Sequence, residues 1–158
     1  MTLIKIGKIV NTHGIKGELR LLSKFPYKDK VFINNMTIYI DKKDKEIINT
    51  YRKHKNFDMI TLKDYNNINE VLKYKGKNVY VNDSDIKLDN NKYLDEELIG
   101  LNVIYEDNNK GTIVDIERYD KTVLFNIKNN DKEYLIPYND NIIDKIDINN
   151  KSVLVMKK

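Results

Sequence analysis

Cysteine and tryptophan are both missing from this chain of 158 residues. Without cysteine there can be no disulfide, no thiolate nucleophile and no thiolate-bound zinc. Histidine occurs only twice, as His13 and His54, far apart in sequence. Two isolated imidazoles do not make a metal cluster or a catalytic dyad. No stretch of about 18 apolar residues is present, so no membrane-spanning helix is expected. In the segment from Met1 to Val10, Lys5 and Lys8 interrupt the apolar residues, unlike the core of a signal peptide. These absences fit a cytoplasmic protein.

Motifs for chemistry are equally scarce. The run Thr12-His13-Gly14-Ile15-Lys16-Gly17 bears two glycines but lacks the Gly-Lys-Ser/Thr ending of a phosphate loop. It leads into a strand-like segment, Glu18 to Leu22, rather than a helix. Gly14 and Gly17 are therefore expected to serve a turn that needs positive φ. Asp83 and Asp85 begin like a calcium loop, but Lys87 stands at the third ligand position and no glycine follows at the sixth. Asp115 and Glu117 share a strand face, where solvation explains them better than acid–base work. Nothing assembles a nucleophile, a base and an oxyanion site. The expectation is a binding protein, not an enzyme, with no cofactor and no metal.

Hydrophobic residues make up 41% of the chain, enough to build cores and too many for a disordered polymer. Charge is unevenly divided. Residues 1–87 hold 18 Lys and Arg against 10 Asp and Glu, whereas residues 88–158 hold 10 against 14. The first part, with a surplus of +8, could lie against phosphates. The second, at −4, is better suited to a basic protein.

Most segments alternate with the period of half-buried strands. Met36, Ile38 and Ile40 oppose Thr37 and Tyr39, Ile60 and Leu62 oppose Thr61 and Lys63, and Val79 and Val81 flank Tyr80. Later, Val114 and Ile116 alternate with Asp115 and Glu117. Val123, Phe125 and Ile127 alternate with Leu124, Asn126 and Lys128, and Val153 and Val155 with Leu154 and Met156. Short strands between polar turns indicate barrels or sandwiches. One helix is expected from Ile68, Val71 and Leu72, with Asn67 as N-cap, Glu70 completing a capping box and Gly76 as the stop. The polar stretch from Asn82 to Lys92 reads as a linker, dividing the chain into domains 1–87 and 88–158. Arg52, Lys53 and Lys55, beside Tyr51 and ahead of an expected hairpin turn at Asn56 to Asp58, are a possible RNA contact, with charge for phosphate and a ring for stacking. A hairpin kept soluble by charge would look the same.

Four stretches resemble one family. The opening from Ile6 to Arg20, with its His13-Gly14 turn and Lys16-Gly17-Glu18, is similar to the N-terminal signature of the RimM family. Arg52 through Lys63, followed by Asn66 to Leu72, resembles that family's basic hairpin and helix. Tyr93 through Val103 resembles the entry to its C-terminal PRC-barrel domain. Tyr134-Leu135-Ile136-Pro137-Tyr138, with Ile142-Ile143 and Ile146-Asp147, resembles that domain's closing signature.

This resemblance implies an all-β fold with one or two short helices, built as two small β-barrels in tandem. It also implies a monomeric, cytoplasmic ribosome maturation factor without cofactor or membrane attachment. Such a factor binds the immature 30S subunit through ribosomal protein uS19 and assists 16S rRNA processing and head assembly. The family carries two adjacent tyrosines at the start of its C-terminal domain. Here the pair is Tyr93 and Leu94, the expected protein-partner contact, with one hydroxyl lost. The glycine usual before the strand at Val123 is also replaced, by Tyr119-Asp120-Lys121. The alternative is an RNA-binding module resembling a translation-factor barrel.

Overall fold

The computed structural model describes residues 1–157. The chain folds into two compact units, Met1–Leu88 and Asp89–Lys158. The boundary lies within the polar stretch, and each unit owns its sheet.

The first unit contains β1 (Leu3–His13), β2 (Glu18–Leu22), β3 (Thr37–Ile40), β4 (Asp44–His54), β5 (Phe57–Leu62) and β6 (Asn78–Asn82). They close into a barrel in the order β1-β2-β5-β4-β3-β6, which removes the free edges that invite aggregation. Closure needs the antiparallel pairing of β1 with β6, where Ile4 meets Val81 and Lys8 meets Asn78. The alternation read in β3, β5 and β6 is the barrel's inside–outside pattern: Ile38, Ile40, Ile60, Leu62, Val79 and Val81 are all buried. Each such side chain contributes about 1.5–3 kcal/mol by leaving water.

Helix α1 (Ile68–Val71) continues into a 3-10 turn, Leu72–Tyr74. The Asn67 side chain caps it by accepting from the Asn69 N–H at 2.8 Å. Glu70 reaches back to the N–H of Asn66 at 3.3 Å rather than to that of Asn67. Gly76, at φ +84, ends the segment. Leu72, expected on the apolar face, is instead 48% exposed, and Tyr74 is buried. The tighter 3-10 winding rotates the second turn, so the i+4 position leaves the core.

The second unit contains α2 (Asp95–Leu98) and β7 (Asn102–Tyr105), β8 (Asn108–Arg118), β9 (Val123–Asn129), β10 (Lys132–Pro137), β11 (Ile143–Asp147) and β12 (Ser152–Val155). Its six-stranded sheet has the order β10-β9-β8-β7-β12-β11. β12 runs parallel to β7, pairing Val153 with Val103. Leu98, Leu101, Val103, Ile113, Phe125, Ile127, Ile143 and Val153 form its core.

In β8 the expected inward face is corrected. Val114 is exposed, while Ile113 is fully buried. A bulge between Ile113 and Asp115 shifts the register, so the two-residue alternation does not run through it. Ile116, beyond the bulge, packs on the core again. The glycine missing before β9 costs little. The turn from Tyr119 to Thr122 closes by a backbone bond of 2.8 Å, and none of its residues has positive φ.

Candidate functional site

The hairpin of β4 and β5 carries the basic residues singled out above. Its turn is two residues long, Lys55 and Asn56, because His54 pairs with Phe57. The expected turn at Asn56 to Asp58 is therefore misplaced, and Asp58 lies inside β5. There it is fully buried. A buried carboxylate requires partners, and it has three. Tyr51 donates its hydroxyl to Oδ1 at 2.6 Å, Lys28 faces Oδ2 at 2.9 Å, and Lys53 lies 3.7 Å from Oδ1. Tyr51 also stacks on Phe32, with ring centroids 5.6 Å apart. Burial foremost, and then the bond to Asp58, pushes the Tyr51 phenol up to about 12.

The other face of the same strands carries a second cluster. Register sets Arg20 of β2 and Arg52 of β4 on either side of Met59 in β5. His13 pairs with Glu18 across the β1–β2 turn. Arg20 donates to Nδ1 of His13 at 2.8 Å and lies over the Phe57 ring, 5.0 Å from its centroid. Arg52 grips Glu18 with two bonds of 2.9 and 2.7 Å. The His13 and His54 rings are 5.7 Å apart. The hydrogen bond from Arg52 foremost holds the Glu18 carboxyl below its ordinary range. Partial loss of water, and then the positive neighbours Arg52, Lys55 and Arg20, lower the His54 imidazole.

The three basic residues thus have different situations. Arg52 is committed to Glu18, and Lys53 leans toward Asp58. Lys55 sits in the turn at φ +55. Gly14 and Gly17 have φ of +75 and +88. A Cβ on Gly17 would stand 3.1 Å from the Asn67 carbonyl, and the N–H of Ile68 donates to the Ile15 carbonyl at 2.9 Å. The turn is therefore pressed against the start of α1. Arg20, Phe57 and Glu18 escaped the reading of the chain as site residues, since only strand pairing brings them beside His54.

In the second unit, Tyr93 is half-buried and packs against the core. Leu94 is only 8% exposed. It precedes α2, and its N–H donates to the Glu97 carboxylate at 2.9 Å. Asp95 and Arg118 form an ion pair of 2.5 Å. Elsewhere in this unit, a cavity of about 360 Å³ is lined mainly by apolar groups, with Val103, Tyr105, Tyr134, Ile136 and Val155 among them.

Among the described residues no group of three or more His, Cys, Asp or Glu could hold a metal ion. No helix among them is long and apolar enough to cross a membrane.

The RimM N-terminal domain matches residues 4–86, and the RimM PRC-barrel domain matches residues 95–158. The chain belongs to the RimM family. The Ribosome maturation factor RimM of Bacillus mycoides is 36% identical over 158 residues, covering 95% of this chain and 92% of its own. That of Staphylococcus haemolyticus is 35% identical over 158 residues, covering 96% and 94%. The solution structure of the N-terminal domain of RimM from Thermus thermophilus superposes with a TM-score of 0.49 at 18% identity, covering 56% of this chain and 98% of that one. RimM proteins are ribosome maturation factors, not a class of enzyme, so the lack of catalytic motifs agrees with the family.

Proposed function

We propose that this protein is a cytoplasmic monomer that binds the immature 30S subunit through ribosomal protein uS19. In this reading it assists 16S rRNA processing and assembly of the subunit head, without cofactor. Family membership supports the ribosomal role. The observation that carries the choice of partner is the second unit's surplus of acid, 14 Asp and Glu against 10 Lys and Arg, together with its apolar cavity. Opposite charge steers association with a basic ribosomal protein, and apolar recesses take anchor side chains. Tyr93 is the contact residue in this reading. Leu94, being buried, supports the backbone that presents it.

A second reading, an RNA-binding module resembling a translation-factor barrel, draws on the cluster of guanidinium and imidazole groups in the first unit. It leaves the acidic unit without a partner. Calorimetry of the full chain with purified uS19 separates the two. Saturable binding that weakens as salt rises is expected. No binding at micromolar concentrations, with RNA still bound, would favour the second.

A further inference from the structure

We propose that His13, Arg20, Arg52 and His54 form a subsite for the phosphate backbone of single-stranded RNA. The proposal rests on the ribosomal reading and deepens it by naming the RNA-facing residues.

Four strands bring the groups together. β1 supplies His13, β2 Glu18 and Arg20, β4 Arg52 and His54, and β5 Phe57 and Met59. Arg20 and Arg52 flank Met59 from neighbouring strands, so their backbones stand about 10 Å apart, two strand spacings. Arginine only donates, so Nδ1 of His13 accepts from Arg20, and the imidazole proton sits on Nε2, available to an outside acceptor.

The single acid of the cluster, Glu18, is held by Nε and Nη2 of Arg52. Arg20 uses Nη2 toward His13 and Arg52 uses Nε and Nη2 toward Glu18, so Nη1 of each makes no hydrogen bond among the described residues; the Nε of Arg20 is buried, out of a ligand's reach. Each guanidinium carries five N–H donors, so donors remain for a ligand. Lys55 adds another positive charge at the turn. The groups facing His54 are Arg20, Arg52, Lys55 and His13, with Glu18 as the counterweight; β5 contributes only the uncharged Phe57 and Met59 to this face.

Positive charge therefore outweighs negative, and protonating His54 would increase the imbalance. A bound polyanion would relieve it. RNA is favoured over an acidic peptide for two reasons. The unit's surplus of +8 attracts a polyanion from a distance. The stack of Arg20 on Phe57 places flat groups beside the phosphate donors, as base stacking requires.

The chain has two histidines, so imidazole proton resonances report on the site directly, with His13→Gln and His54→Gln giving the assignment. The full chain is titrated with a single-stranded RNA of about ten nucleotides and, in parallel, with a glutamate-rich peptide of equal charge. RNA is expected to move both imidazoles and to raise the pH at which His54 protonates. Its affinity should increase severalfold between pH 8 and pH 6. Arg20→Gln and the exposed-face variant His54→Gln should each weaken RNA about tenfold while uS19 binding is unchanged. The proposal is overturned if RNA leaves both imidazoles unmoved, or if the peptide moves them as far as RNA does. Should uS19 fail to bind while RNA moves the imidazoles, the subsite stands and the partner assignment falls.

Discussion

The Tyr51 hydroxyl donates at 2.6 Å to Asp58, the buried charged residue of the barrel's basic hairpin. Two lysines complete the carboxylate's surroundings. Asp58→Ala strands these cations and should cost about 1.5–3 kcal/mol in urea unfolding, the scale of a charge-assisted bond. Tyr51→Phe should cost about 1 kcal/mol. The folded-state value of Tyr51 is raised from 10.0 to about 12. Its contribution is therefore complete below pH 10 and is lost as pH rises toward 12. Tyr51→Phe should remove that part of the alkaline loss. An unchanged alkaline profile would contradict the pairing.

At the β1–β2 turn two alanine substitutions should differ. Gly14 and Gly17 both have positive φ, but only Gly17 faces the Asn67 carbonyl closely; a Cβ on Gly14 meets nothing within 4 Å. Gly14→Ala should cost roughly 1–2 kcal/mol from backbone strain alone. Gly17→Ala should cost more, because Asn67 must move and with it the start of α1. Equal melting temperatures for the two variants would refute the contact.

For the pair Glu18 and Arg52, acid is the probe. Glu18 is held below its ordinary value by the bond from Arg52. Its stabilisation is therefore present above the ordinary Glu value and disappears as pH falls through the lowered folded-state value. Arg52→Gln should lower stability modestly at neutral pH, because the Arg52 side chain is half exposed and screened by solvent, and converge on the parent in acid, so that the profile is flatter across that range. A profile identical to the parent's would show that the pair contributes nothing.

Tyr93 and Leu94 should separate binding from folding. Tyr93→Ala is expected to weaken uS19 binding by about 1–3 kcal/mol and also to lower the melting temperature, since the ring packs on the core. Leu94→Ala should cost about 2–5 kcal/mol of stability. It should affect uS19 only as far as folding is lost. Full affinity in Tyr93→Ala would remove Tyr93 from the interface.

The all-β class was legible because alternation is a local signal. β2 was read to the residue, and the Asn67 cap was recognised from its neighbours. Sequence alternation failed at Val114, where the bulge after Ile113 reverses the face. It failed also at Leu72, where a 3-10 turn replaces the second helical turn. Asp58 falls in the expected turn because aspartate favours turns, and of the two lysines that face its carboxylate the nearer, Lys28, lies thirty residues earlier in the chain. The basic hairpin was legible as charge. Its outer face was not, because Arg20 and His13 reach Arg52 and His54 only through the pairing of β1, β2, β5 and β4.

The central claim is association with the unfinished small subunit. Its most direct test is co-sedimentation of the full chain with immature 30S particles, mature 30S subunits and 70S ribosomes at equal concentrations. The protein is expected to travel with the immature 30S particle, less with the mature subunit, and not with 70S. Equal binding to all three, or binding to none, would contradict the account.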